Sequence, residues 1–128
     1  MINGVPSSIY PTVRKSVIPF LENFADRSHG RWTVDGLEKS IMSGEKQCWS
    51  INTFQGVALT SIGVNEVNIE AAAGVRRSEW QDALDDEIRE WARHLGKSRI
   101  IAKVRPGWSK FGKSKGYKLA HYEMILEL

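Results

Sequence analysis

The stretch GVRRSEWQDAL, Gly74 to Leu84, places two arginines where a strand-like run, VNIEAAAG, gives way to a helix-like run, SEWQDALDDEIREWARHLG. A strand-to-helix turn offers free backbone amides and the positive end of a helix dipole, the elementary chemistry of phosphate binding. The same residues offer a second chemistry. Ser78 and Gln81 have the S-x-x-Q spacing of a capping box, in which the two side chains satisfy each other's orphan amides. Glu79 between them suits the dipole and opposes an anion. A second constellation lies further on. Arg99, Lys103, Arg105, Lys110, Lys113, Lys115 and Lys118 fall in a window without a single acid, whereas six acids lie between Glu79 and Glu90. Trp108 and Phe111 interleave with the basic run, so Arg105, Trp108, Lys110, Lys113 and Lys115 are the candidate surface for an acidic partner or nucleic acid.

Other chemistries are poorly served. His29, His94 and His121 are isolated, and one cysteine, Cys48, permits neither an internal disulfide nor a zinc spacing. Cys48 lies beside Trp49 in a strand-like run and reads as a small buried hydrophobe. No Ser-His-Asp arrangement is apparent and no metal is expected. With 128 residues, a net charge of +3 and 41% hydrophobic residues, the chain is expected to form one mildly basic α/β domain. No signal peptide and no span long enough for a membrane are visible, so a cytosol-like compartment is expected.

The elements that must position these residues follow from periodicity. MINGVPSS (1–8) reads as a polar, flexible start. Ile9, Val13, Val17, Phe20, Leu21 and Phe24 have helical spacing, with Pro11 suited to a first turn and Pro19 expected to kink or split the segment. A second helix carries Leu37 and Ile41, capped by Thr33 or Asp35 and stopped by Gly44. QCWSIN and GVALTSIG form a hairpin about NTFQG, and EVNIEAAAGV is a third strand. A long helix from Ser78 to about Leu95 shows an apolar stripe of Trp80, Leu84, Ile88, Trp91 and Leu95. SRIIAKVR is a strand, PGWSKFGKSKG a short helix or turn, and YKLAHYEMILEL a final strand. The order α-α-β-β-β-α-β-α-β implies a mixed central sheet flanked by helices on both faces.

This order, with EWARHLG, RIIAKV and KFGKSKGYKLAHYEMILEL, resembles the GNAT superfamily of acyl-CoA-dependent N-acyltransferases over roughly residues 30–128. RPGW further resembles small GNAT-like proteins of tailed bacteriophages. The family's usual first strand is not evident. The resemblance implies that coenzyme A pyrophosphate would sit on a Q/R-x-x-G-x-G/A turn, which here falls on Val75, Arg76, Arg77, Ser78, Glu79 and Gln81. Glu79 and Gln81 stand where glycine and Gly/Ala belong. The family's acidic tyrosine would fall on Gly112, five residues before Tyr117. Tyr10 and Tyr122 remain as hydroxyls, and Glu70 is a weak candidate base whose strand position otherwise suggests a solvated residue.

The expectation is therefore a GNAT-like fold that has lost its cofactor site. It would be a non-catalytic bacteriophage protein in the host cytoplasm or the virion, bound to a phage or host protein, and it would take no cofactor. The first alternative is a divergent acetyl-CoA-dependent N-acetyltransferase. The second is a nucleic-acid-binding accessory protein using the basic C-terminal half. Oligomeric state is left open.

Overall fold

A computed structural model describes residues 1–104, 106–120 and 123–128. The elements are β1 (Ile2–Val5), α1 (Tyr10–Asp26), α2 (Val34–Ser43), β2 (Gln47–Ile51), β3 (Gly56–Ile62), β4 (Glu66–Gly74), α3 (Arg77–His94), β5 (Arg99–Ala102) and, after a single 3-10 turn at Pro106–Trp108, α4 (Ser109–Ser114). The five strands lie in the order β1-β2-β3-β4-β5, antiparallel through β4 and parallel between β4 and β5. The expected α/β class, with a mixed sheet between helices, is present.

The helices follow their sequence signals. Thr33 caps α2 by accepting from the Gly36 amide, and Gly44 ends it in the left-handed conformation. Pro11 falls in the first turn of α1. Pro19 does not split the segment: α1 runs unbroken through it, because Val17, Leu21 and Phe24 on either side are buried in one core. That core joins α1 and α2 to Cys48, Val57 and Leu59, with Ala71 and Ala73 against it. On the opposite face, Trp80, Leu84, Ile88 and Ala92 of α3 pack against Trp49, Ile51, Ala58, Val67 and Ile69. Trp91 meets Trp49 edge to face at 5.1 Å. Leu95, the last residue of the expected stripe, is 38% exposed.

Two ends of the chain differ from expectation. Residues 2–5 are not a flexible start but the edge strand β1, paired with β2 from Ile2–Ile51 to Val5–Cys48. The Asn52 amide donates to the Met1 carbonyl at 2.8 Å, and the Met1 amine donates to the Asn52 side chain. This strand supplies the first strand that the sequence did not reveal. The final strand is absent from residues 117–120 and 123–128, where Met124, Leu126 and Leu128 are exposed. Tyr117 turns onto α3 instead.

At the far end of β4, Gly74 lies opposite Gly56. A Cβ on Gly74 would come within 2.5 Å of the Gly56 Cα and 2.7 Å of the Gln55 carbonyl. This glycine therefore fixes how β4 delivers the chain to α3. No helix among the described residues is long and apolar enough to cross a membrane.

Cys48 is 1% exposed, and burial pushes its thiol up to about 12. It is expected to resist a thiol reagent at pH 8 in the folded chain and to react on unfolding in guanidinium. Ile88 is fully buried beneath the sheet. Ile88→Ala is expected to lower unfolding stability by about 2–5 kcal/mol in a denaturant titration.

Candidate functional site

The site begins with an extra residue in β4. Leu59 pairs with Ala71 and Thr60 with Ile69, so Glu70 has no partner in β3 and forms a bulge. The bulge turns the strand over. Val67 and Ile69 face α3, while Ala71 and Ala73 face α1 and α2. Strict alternation would have kept Ile69, Ala71 and Ala73 on one face and left Glu70 to solvent.

Glu70 is not a solvated glutamate. Its side chain is 7% exposed and meets Lys103 Nζ at 2.7 Å through Oε2. The Ser61 hydroxyl donates to Oε1 at 2.6 Å, and the Asn68 amide donates to Ser61 at 3.2 Å. Burial alone would push this carboxyl up. The hydrogen bonds from Lys103 and Ser61 and the charges of Lys46 and Lys103 outweigh burial and hold it below the usual range.

The β4–β5 ladder ends beside this carboxylate. It runs from Glu66–Arg99 to Ile69–Ala102, and the Lys103 amide adds one bond to the Ile69 carbonyl at 3.0 Å. Beyond it, residues 71–74 of β4 pair only with β3 among the described residues. Ala71 and Ala73 serve the packing of α1 and α2, whereas Ala72 and Gly74 are exposed.

At the end of this strand the chain enters α3. Here the capping-box expectation fails. The N-cap is Arg76, held in the left-handed conformation at φ 55°, and no side chain caps the helix. Ser78 lies inside the first turn, too late in the chain to cap it. Gln81 Oε1 is a buried atom without a hydrogen-bond partner among the described residues. The turn is pinned instead by Trp80, whose indole Nε1 donates to the Val75 carbonyl at 2.8 Å. The Val75 amide bonds Gln55 and the Glu79 amide bonds Arg76. The Arg77 and Ser78 amides find no acceptor among the described residues. Val75, Arg76, Arg77, Ser78 and Glu79 are all exposed. The positive end of an 18-residue helix thus opens beside two guanidinium groups, with the exposed Glu79 as the acid of its first turn.

The candidate acid hydroxyls among the described residues are engaged elsewhere. Tyr10 is 1% exposed and donates to Glu38 Oε2 at 2.7 Å. Tyr117 donates to Asp85 Oδ1 at 2.9 Å, and burial followed by that bond raises its phenol well above the ordinary range. Tyr122, His121 and Arg105 lie outside the described residues. Gly112 is required by its neighbour, because a Cβ there would meet the Trp108 ring at 2.5 Å. Trp108 packs edge-on against Phe111 and Tyr117 at 5.2 and 5.3 Å.

The basic run is partly neutralised within the chain. Arg99 pairs with Glu66, Lys103 with Glu70 and Lys115 with Asp82, while Lys110 and Lys113 are exposed on α4. Sequence reasoning missed the network that seats α4. Asp85, 4% exposed on α3, accepts from Arg89 Nε at 2.7 Å and from Tyr117, and Arg89 Nη2 donates to the Lys115 carbonyl at 2.5 Å. The only available signal was an aspartate one position beside the apolar stripe. Among the described residues, no group of three His, Cys, Asp or Glu side chains could hold a metal ion.

The five-stranded mixed sheet with its flanking helices is similar in fold, over nearly the full length of each chain, to solved acetyltransferase structures. Three solved structures illustrate the similarity. A ribosomal-protein-alanine N-acetyltransferase from Brucella melitensis biovar Abortus 2308 superposes with a TM-score of 0.72 at 10% identity, covering 100% of this chain and 98% of that one. A putative acetyl transferase from Pyrococcus furiosus gives 0.70 at 18% identity, covering 100% and 99%. The aminoglycoside N-acetyltransferase AAC(6')-Iy, solved in complex with CoA, gives 0.68 at 14% identity, covering 100% and 98%. No protein-family model and no curated protein sequence matches the chain. The expectation of no cofactor, drawn from Glu79, Gln81 and Gly112, is corrected by the similar AAC(6')-Iy, which is solved with CoA, and the capping box that went with it is absent from α3.

Two outcomes follow from the geometry. Tyr117→Phe is expected to cost about 1–3 kcal/mol, read by denaturant unfolding, because it removes a bond to a buried carboxylate. Glu70 has its folded-state titration depressed below the unfolded value of about 4.3. Its stabilisation is therefore present above that value and lost as pH falls through the folded titration. Between about pH 5 and pH 3 the native chain is expected to lose more stability than Glu70→Gln.

Proposed function

We propose that the chain is a divergent N-acyltransferase that takes its acyl group from an acyl-coenzyme A. The observation that carries this reading is a juxtaposition. The parallel β4–β5 pairing stops at Ile69–Ala102, and the unpaired end of β4 runs directly into a long helix whose first amides are uncapped. The residues present fit the group. The Arg77 and Ser78 amides and the Arg76 and Arg77 side chains would hold its phosphates. Coenzyme A supplies an acyl group activated as a thioester.

The chain's own residues supply the rest. Glu70, held ionised, is an acceptor for an ammonium group and for the proton that an amine must lose. Ser61 fixes the carboxylate from one side, so the acceptor atom that faces Lys103 is oriented. Tyr10 and Tyr117 donate to Glu38 and Asp85, so neither hydroxyl is free to act as the acid. A bacteriophage setting rests on the RPGW resemblance and a non-catalytic role on Glu79, Gln81 and Gly112, and the likeness of the fold to acetyltransferases supports the catalytic reading over both. Nucleic-acid or protein binding through Trp108, Lys110, Lys113 and Lys115 draws less support, because Trp108 is engaged with Phe111 and Tyr117 and Lys115 with Asp82.

Calorimetric titration with acetyl-CoA tests the proposal. Saturable binding is expected, weakened about tenfold by replacing Arg76 and Arg77 together with alanine. Glu79→Gly is expected to tighten it roughly fivefold, the equivalent of about 1 kcal/mol of like-charge repulsion removed. Absence of heat at acetyl-CoA concentrations of about 1 mM would sink the reading.

A further inference from the structure

We infer that Lys103 is itself an acyl acceptor, and that the chain modifies its own Nζ at the end of the β4–β5 ladder. The inference rests on the acyl-CoA reading above and deepens it. Lys103 is the first residue past β5, and its amide still bonds the Ile69 carbonyl at 3.0 Å. Ile100 and Ala102 pack on the α3 core, so the Lys103 side chain emerges on the other face. There its Nζ donates to Glu70 Oε2 at 2.7 Å. An amine, its proton acceptor and the unpaired end of β4 are thus adjacent.

The other lysines differ. Lys39 and Lys115 pair with exposed aspartates, and Lys97 donates to the Val64 carbonyl. Lys103 is the lysine among the described residues that meets a buried carboxylate, and its own side chain remains 61% exposed. It is therefore both reachable by an acyl donor and held against a base.

The chemistry balances with an acyl thioester as the sole co-reactant. An Nζ proton passes to Glu70 Oε2 and the nitrogen lone pair attacks the carbonyl carbon. The C–N bond forms, the C–S bond breaks and the sulfur leaves with the bonding pair. Of the two protons lost from the ammonium, one ends on the thiolate and one in solvent. The product amide carries no charge, so Glu70 loses its cation and is open to the ammonium of a second amine.

The test uses the full chain with acetyl-CoA and, in a separate arm, with S-acetyl-N-acetylcysteamine, a simple thioester lacking the nucleotide. Acetylated positions are mapped by peptide mass spectrometry, with calorimetric titration of acetyl-CoA in parallel. Acetyl is expected on Lys103 about tenfold faster than on any other lysine, and Glu70→Gln is expected to remove that preference. Ser61→Ala, which keeps the carboxylate but frees one side of it, is expected to reduce the preference and guards against misfolding of the Glu70 variant. Label spread evenly over exposed lysines, or a Lys103 preference unchanged in both variants, overturns the inference. If acetyl-CoA binds and Lys103 stays unmodified, this inference fails and the acyltransferase reading stands. If Lys103 takes acetyl from the simple thioester while acetyl-CoA does not bind, the acyltransferase reading fails and the reactivity of Lys103 stands.

Discussion

Glu70 is one residue too many for the pairing of β3 with β4, and the remainder of the site depends on how the sheet absorbs it. A bulge bends a strand and breaks its alternation. Upstream of it, Val67 and Ile69 belong to the core beneath α3; downstream, Ala71 and Ala73 belong to the core beneath α1 and α2. The same insertion turns the Glu70 side chain onto the face where Ser61 and Lys103 stand. The parallel pairing with β5 ends at this point as well. A buried carboxylate without partners is costly, so Ser61 and Lys103 are what allow the bulge to carry an acid.

A second constraint acts at the end of β4. Gly56 and Gly74 face each other at a distance that admits no Cβ, and Trp80 reaches back to the Val75 carbonyl. Together they dictate where α3 starts. With Arg76 left-handed and no cap, the helix presents its first donors outward. Further along α3, Asp85 gathers Arg89 and Tyr117 and so anchors the segment that follows β5. The acidic face of α3 and the basic run after it partly neutralise each other through internal contacts such as Asp82 with Lys115. For that reason the polarity of the sequence overstates the polarity available to a partner.

Much of the fold was legible because it rests on local signals. The α3 stripe of Trp80, Leu84 and Ile88, the Thr33 cap, the Gly44 stop and the hairpin between β2 and β3 are each encoded within a few residues. The illegible features are those decided at a distance. The segment INGV has no apolar alternation to mark it as a strand, and it becomes β1 because β2 offers an unpaired edge. Ser78 and Gln81 have the spacing of a capping box, yet the Gly56–Gly74 crossing and the Trp80 indole start the helix earlier than a Ser78 cap requires. Gly112 reads as a missing acid in the sequence; in the structure it is the space that the Trp108 ring demands.

The class of the molecule was already set by residue order: an α/β sheet with helices on both faces, an acidic helix followed by a basic run, and an arginine pair at the strand-to-helix turn. Periodicity and local turn chemistry suffice for these, because they act between neighbours along the chain. Folding in three dimensions was needed to bury and ion-pair Glu70, to leave α3 without a side-chain cap and to bring Lys103 to the carboxylate. Those outcomes depend on register between strands far apart in sequence, and one inserted residue reverses which face every later side chain occupies.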